Sequence, residues 1–251
     1  MKKIYGLIGY PLGHSFSRDY FNHKFKAEKI NAEYINFEIE DVGMLMELLA
    51  EYPELDGLNV TAPFKEQVIP YMNSMDPVAE RIGAVNVIKL LRGADGELTG
   101  LRGYNSDVVG FGRSIEPLLN PSRTSALILG TGGAGKAVAT ALQDLGVETH
   151  FVSRRKSADT IAYEELTRAM VQHSKIVVNA TPVGMYPNDE LTPPFPFRFL
   201  GKEHLCYDLI YNPNETRFMR ESAAAGAETK NGLEMLLLQA FVSYEIWNST
   251  F

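Results

Sequence analysis

The chain has 251 residues, of which 45% are hydrophobic and 22% charged, and its formal net charge is -7. A length well above the commonest domain size of roughly 100–150 residues favours two domains over one. The acidic balance, with no long basic run, argues against a nucleic-acid footprint or attachment to an acidic membrane surface, so the expected partner is a small-molecule substrate, with no nucleic acid and no membrane.

Met1-Lys2-Lys3 precedes an apolar run, but Pro11, Gly13 and His14 interrupt it before a secretory core is complete. No stretch approaches the roughly 20 apolar residues that cross a bilayer, and a cytoplasmic location is expected. The single cysteine, Cys206, cannot form an internal disulfide or supply a multi-thiolate metal site. It lies in an apolar strand-like run and reads as core, and no metal ligands are expected.

In chain order, Ile4–Gly9 reads as a strand, followed by a helix capped by Ser15 or Ser17 whose apolar side carries Tyr20, Phe21 and Phe25. Tyr34–Ile39 is a second strand, Met44–Leu49 a helix and Gly57–Val60 a third strand running into Thr61-Ala62-Pro63. Val85–Leu91 and Leu98–Leu101 flank Gly93-Ala94-Asp95-Gly96 as a hairpin. Ser125–Leu129 then opens a second α/β unit, with a helix through Leu145 and buried parallel strands at Thr149–Val152, Ile176–Asn179 and Leu205–Ile210. Leu233–Trp247 is apolar at helical spacing and on its other side too, which predicts a largely buried helix packed back on the first domain.

Gly130-Thr131-Gly132-Gly133-Ala134-Gly135 follows a strand and opens a helix, the context in which Gly-x-Gly-x-x-Gly binds a dinucleotide pyrophosphate. An acid about 20 residues on would select NAD through its ribose hydroxyls. Here the next strand ends in Ser153-Arg154-Arg155-Lys156, cations suited to an adenosine 2′-phosphate, so the expected cofactor is NADP (NADPH). A solvated basic turn is the plainer alternative.

Four segments of the first half carry polar groups where ligands of α/β sheets bind. Ser15 and Ser17, beside a helix start, would hold a carboxylate. Asn59, Thr61 and Lys65 offer an amide, a hydroxyl and an ammonium beyond a strand's C-terminal end. Asn86 follows Gly83-Ala84-Val85, and Asp107 adds a carboxylate at the junction between the two halves. Taken singly, each has a structural reading: Ser17 and Asp107 as helix caps, Asn86 as a turn residue, Lys65 as a surface lysine.

The order of these motifs, from His14-Ser15-Phe16-Ser17 through Asn59-Val60-Thr61-Ala62-Pro63-Phe64-Lys65, Asn105-Ser106-Asp107, the glycine loop, Asn179-Ala180-Thr181-Pro182-Val183-Gly184-Met185 and Asp208-Leu209-Ile210-Tyr211-Asn212-Pro213 to Asn231-Gly232 with Gln239, resembles the shikimate dehydrogenase family. The resemblance spans about residue 5 to 247. It implies an N-terminal α/β substrate domain with a mainly parallel sheet (1–104, with 232–251 returning to it), a Rossmann-type doubly wound NADP domain (105–231), and a cleft between them.

It further implies that Ser15 and Ser17 bind the substrate carboxylate. Asn59, Thr61, Asn86, Tyr211 and Gln239 contact the substrate, and Lys65 and Asp107 form the catalytic pair. Gly130, Thr131, Gly132, Gly133, Ala134, Gly135, Ser153, Arg154, Arg155, Thr181, Met185, Leu209 and Gly232 bind the cofactor, with the Thr181–Met185 loop beside the nicotinamide. The implied activity is NADPH-dependent reduction of 3-dehydroshikimate to shikimate, in aromatic amino acid biosynthesis, by a monomer or homodimer.

Three positions depart from the family's usual pattern: Arg18 stands where proline is common, Ser106 replaces threonine and Ser153 replaces asparagine. Other readings are a dual quinate/shikimate enzyme, a folate-linked dehydrogenase, which lacks support in the Ser15/Ser17 loop, and a non-catalytic NADP sensor, which has no use for Lys65 and Asp107.

Overall fold

Along Lys3–Gly9 (β1) the apolar side chains alternate, Ile4 and Ile8 joining one buried cluster and Tyr5 and Leu7 another. That is the period-2 geometry of a strand covered on both faces. The computed structural model describes residues 2–12 and 16–249. It divides into two units, 1–106 with 240–251 and 107–239.

The first unit continues with Phe16–Ala27 (α1), Ala32–Glu38 (β2), Leu45–Glu51 (α2), Leu55–Val60 (β3), Ser74–Met75 (β4), Pro77–Ile82 (α3), Val87–Arg92 (β5) and Leu98–Tyr104 (β6). Its sheet has the order β2-β1-β3-β5-β6-β4. β1 is parallel to β2 and β3, while β5 runs antiparallel to β3 and β6. The hairpin forms as expected, but its second strand extends to Tyr104, opposite Val87. Pairing carries β6 beyond the apolar run that marked it in sequence.

The second unit contains Asp107–Ile115 (α4), Ser125–Leu129 (β7), Gly133–Asp144 (α5), Glu148–Ser153 (β8), Thr160–Ala162 (β9), Arg168–His173 (α6), Ile176–Asn179 (β10), Leu205–Asp208 (β11), Arg217–Ala224 (α7) and Glu228–Lys230 (β12). Its sheet, β12-β11-β10-β7-β8-β9, is parallel throughout. Strand order runs outward in both directions from β7, the doubly wound arrangement, and the turn after β7 stands at the switch point. Cys206 is buried in β11, and burial pushes its thiol up to about 12.

Two expectations need correction. Ser17 is the second residue inside α1 and cannot cap it; Ser15 lies outside the described residues. The strand expected to reach Ile210 stops at Asp208, because the Asp208 carboxylate turns back to accept the Ile210 N–H at 3.0 Å.

The last helix, Leu233–Asn248 (α8), is not buried all round. Leu233, Leu237 and Phe241 form a stripe 36–44% exposed. From residue 240 it belongs to the first unit, where Trp247 stacks on Tyr5 at 4.8 Å and its indole N–H donates to the Ile88 carbonyl at 3.1 Å. Gly57 makes room for it: a Cβ there would lie 2.2 Å from Trp247 Cδ1. Among the described residues, no helix is long and apolar enough to cross a membrane.

Trp247→Ala empties this seat, and a loss of about 3–5 kcal/mol is expected, as for other buried aromatic truncations. Urea denaturation measures it; a change below about 1 kcal/mol would mean that the helix is held elsewhere.

Candidate active site

In the second unit, β7 delivers the chain into Gly130-Thr131-Gly132-Gly133-Ala134-Gly135. Gly130 has φ 111°, a conformation that disfavours side chains, and its N–H donates to the Val152 carbonyl at 3.0 Å. Gly135 lets α5 approach the strand, since a Cβ there would lie 2.3 Å from the Gly130 carbonyl oxygen. Gly132, at the N-cap of α5, is different: a Cβ there would meet nothing within 4 Å. The open side of the loop is therefore where a pyrophosphate can reach the helix's N-terminal amides.

β8 lies beside β7 with Val152 opposite Leu129, which places Ser153, Arg154 and Arg155 next to the glycine loop. Ser153 Oγ accepts the Arg155 N–H at 3.4 Å, and both arginines are exposed. Lys156 pairs with Glu165 at 2.5 Å. The residues present fit an NADP-type group: an open glycine at a helix start, and two exposed guanidiniums where an adenosine phosphate calls for charge.

At the ends of β10 and β11 a buried network shapes the next loops. Asn179 Oδ1 accepts the Thr181 N–H and hydroxyl at 3.1 and 2.7 Å, and its Nδ2 donates to Asp208 at 3.1 Å. Asp208 also accepts from the Thr216 hydroxyl at 2.6 Å. Met185, beyond Gly184 at φ 100°, is 46% exposed. Leu209 and Gly232 meet closely: a Cβ on Gly232 would lie 2.0 Å from the Leu209 carbonyl oxygen.

Of the substrate-side residues, this unit holds Asp107, Tyr211 and Gln239. Asp107 is buried at the start of α4. One turn on, Gly110 admits Gln239, whose Cβ would lie 2.9 Å from a Cβ at Gly110. Gln239 Nε2 donates to the Leu236 carbonyl in its own helix. Tyr211 is half-buried, and burial raises its hydroxyl.

The first unit holds Ser17, Asn59, Thr61, Lys65 and Asn86. Thr61 extends β3 beyond its end, its N–H donating to the Ile8 carbonyl, and Gly9 gives it room: a Cβ there would lie 2.4 Å from Thr61 Cγ2. Phe64 and Val68 plug the core, which fixes the turn carrying half-buried Lys65. The Lys65 carbonyl in turn accepts the Val85 N–H at 2.7 Å, joining this turn to the segment that carries Asn86.

Asn59 and Asn86 are buried. Asn59 Oδ1 accepts the Tyr34 hydroxyl at 2.8 Å, and its Nδ2 donates to Ser243 Oγ at 2.9 Å and to the Asn86 carbonyl at 3.3 Å. Asn86 Oδ1 accepts the Ser106 N–H at 2.7 Å, and its Nδ2 donates to Ser106 Oγ at 3.0 Å.

The family model for the shikimate dehydrogenase substrate binding domain matches residues 7–88. Over 98% of its length the chain is 35% identical to the NADP-dependent shikimate dehydrogenase of Desulforamulus reducens, covering 89% of that protein. The chain belongs to the shikimate dehydrogenase family. Two solved family structures superpose on nearly all of it. Shikimate dehydrogenase from Aquifex aeolicus has a TM-score of 0.85 at 32% identity, with 98% of this chain and 92% of that one covered. The Thermus thermophilus enzyme, in complex with NADP(H) and shikimate, has 0.83 at 30%, with 98% and 93% covered.

Sequence reading of this family member missed Tyr34, Ser243, Asp208 and Thr216 as parts of the polar framework. A signal for Ser243 was available: it stands four residues after Gln239, a second polar side chain on one face of an otherwise apolar helix.

Burial pushes Asp208 up to about 6, although the bonds from Thr216, Ile210 and Asn179 favour its ionised form. Its folded-state value thus lies above the unfolded one near 4, so the folded chain holds a proton that the unfolded chain releases. The resulting stability is complete below about pH 4 and is lost as pH rises through about 6. Asp208→Asn has no such titration. Urea midpoints from pH 4 to 8 should show the parent losing on the order of 2 kcal/mol relative to the variant between pH 4 and 6 and a few tenths more by about pH 7, then a constant difference. Parallel curves would refute the shift.

Proposed function

We propose that the protein catalyses the reversible, NADPH-dependent reduction of 3-dehydroshikimate to shikimate, with residues 1–104 and 232–251 serving the substrate and 105–231 the cofactor. The observation that carries this reading is the near-complete likeness in sequence and fold to NADP-dependent shikimate dehydrogenases, one of them bound to both NADP(H) and shikimate.

When bound, NADPH supplies the hydride. The amides at the start of α5 and the exposed face of Gly132 receive its pyrophosphate, and Arg154 and Arg155 hold its 2′-phosphate. Ser15 and Ser17 bind the substrate carboxylate, and Thr61, Asn86, Tyr211 and Gln239 hold the ring substituents or the carboxylate. As hydride reaches a ketone, negative charge grows on its oxygen. In this reading the Lys65 ammonium stabilises that charge and supplies the proton, and Asp107 is the second member of the catalytic pair. The setting is aromatic amino acid biosynthesis in the cytoplasm.

Lys65→Met should slow turnover by roughly 10²–10⁴-fold with NADPH binding little changed; near-normal turnover would remove Lys65 from the mechanism. Lys65→Arg keeps the charge but holds its proton too tightly to give it up near neutral pH, so recovery of rate would assign the residue to charge stabilisation. Two charge-assisted bonds at about 1.5–3 kcal/mol each predict that the double variant Arg154→Ala/Arg155→Ala loses about 10²–10⁴-fold in preference for NADP over NAD. Initial rates with shikimate or quinate against NADP or NAD measure this and separate shikimate from quinate activity.

A further inference from the structure

Five side chains of the first unit form one continuous buried chain of hydrogen bonds. The Tyr34 hydroxyl donates to Asn59 Oδ1, Asn59 Nδ2 to Ser243 Oγ, Ser243 Oγ lies 3.1 Å from Ser106 Oγ, and Ser106 is bonded through both its N–H and its hydroxyl to the Asn86 amide. Ser106 and Ser243 are 0% exposed, so these groups can find no bulk water in exchange for a lost partner.

The two amides in this chain each have a fixed orientation. Burial holds the Tyr34 hydroxyl well above its usual titration range, so it stays a proton donor. The Asn86 carbonyl, which can only accept, requires the Asn59 NH₂ to face it, so Nδ2 is turned toward Ser243 and that carbonyl and Oδ1 toward the Tyr34 hydroxyl. Ser243 Oγ accepts from Asn59 and shares a hydrogen bond with Ser106 Oγ in which either hydroxyl can donate. At the far end, reversing the Asn86 amide would set its NH₂ against the Ser106 N–H, donor against donor.

We propose that Ser243, on the last helix, is a positioning residue that fixes the orientation of the Asn86 amide for substrate, acting through Ser106. This rests on the reading above that Asn86 binds the substrate. Ser243 itself needs no substrate contact: its work is to keep Ser106 Oγ in place beside Asn86 and to hold Asn59 across β3. This pair of serines links the last helix to the substrate side chain.

The test is a double-mutant cycle on the full chain, with steady-state kinetics in shikimate and NADP. Ser243→Ala should raise the KM for shikimate roughly 3- to 10-fold, the worth of about one hydrogen bond. Its kcat should stay within about twofold, and the KM for NADP should not change. Asn86→Ala should raise the shikimate KM by itself, and adding Ser243→Ala to it should have no further effect on that KM.

Ser106→Ala removes its own bond to Asn86 as well as the contact with Ser243, so it should raise the shikimate KM at least as far, and Ser243→Ala should add nothing to it; Ser243→Cys, which keeps a side chain of similar size, keeps the test decisive if Ser243→Ala does not fold. A purely structural role would lower the thermal midpoint while leaving the shikimate KM alone, or would add independently to Asn86→Ala; either result overturns the proposal. An Asn86→Ala enzyme with normal shikimate KM would instead overturn the assignment of Asn86 and the proposal with it, a pattern distinct from failure of Ser243 alone.

Discussion

A buried side-chain amide must have its donors and its acceptor satisfied, and the first unit is arranged around that constraint at Asn59. Its three bonds reach Tyr34 on β2, the main chain at Asn86 just before β5, and Ser243 on the last helix. An unmet partner here would cost about 1–3 kcal/mol, so the registers of neighbouring strands and the seat of the helix are set together. Thr61 and Lys65, the groups proposed to face substrate, follow Asn59 by two and six residues and inherit that fixed origin. The helix is fastened a second time lower down, where Lys89 in β5 is bonded to the Ser249 carbonyl and, at 2.8 Å, to its hydroxyl.

The second unit solves a related problem differently. Asn179-Ala180-Thr181 ends β10 as Asn59-Val60-Thr61 ends β3, and in both the asparagine is fully enclosed. Asn179 spends its oxygen on Thr181 two residues ahead, which curls the chain into the loop that follows. Asn59 spends its oxygen on the tyrosine of β2, two strands away across β1, leaving Thr61 to continue the sheet by bonding Ile8. The same Asn-x-Thr pattern thus closes a loop in one unit and extends a strand in the other, and the buried partner offered to the asparagine decides which.

Much of the fold was legible in sequence, because strands buried on both faces read as unbroken apolar runs. Ser125–Leu129 and Ile176–Asn179 fall where the sequence places them. Short elements were passed over although their caps are written in the chain. Asp76 accepts the Val78 N–H, Pro77 takes the first helical position and Gly83 closes α3 at φ 67°, a complete start and stop for six residues. Thr167 and Thr216 open α6 and α7 in the same way. The exposed stripe Leu233, Leu237 and Phe241 could not be foreseen, since a helix apolar on all sides gives no sign of which side its neighbours leave uncovered. In the candidate site, motif order pointed to the residues that would touch ligand, whereas the partners chosen by Tyr34, Ser106, Ser243 and Thr216 were not written in it. Their role lies in pairings across 8 to 184 residues of chain, which no local pattern encodes.

The glycines of the nucleotide loop and of the last turn do not all testify to a ligand. Gly135 and Gly232 are demanded by the protein itself, because a side chain at either would collide with the main chain of Gly130 or Leu209. Gly130 is demanded by its φ of 111° and by the nearness of Ala180 and Thr181. These three would be required in an α/β domain that bound nothing. Gly132 differs from these three, with neither a positive φ nor a neighbour within reach of an added Cβ. The fold could hold alanine there at no steric cost, so the space kept open in front of the α5 amides is explained by what enters it. The weight of the cofactor assignment therefore falls on the open Gly132 and on the two exposed arginines after β8, rather than on the match to a glycine-rich pattern.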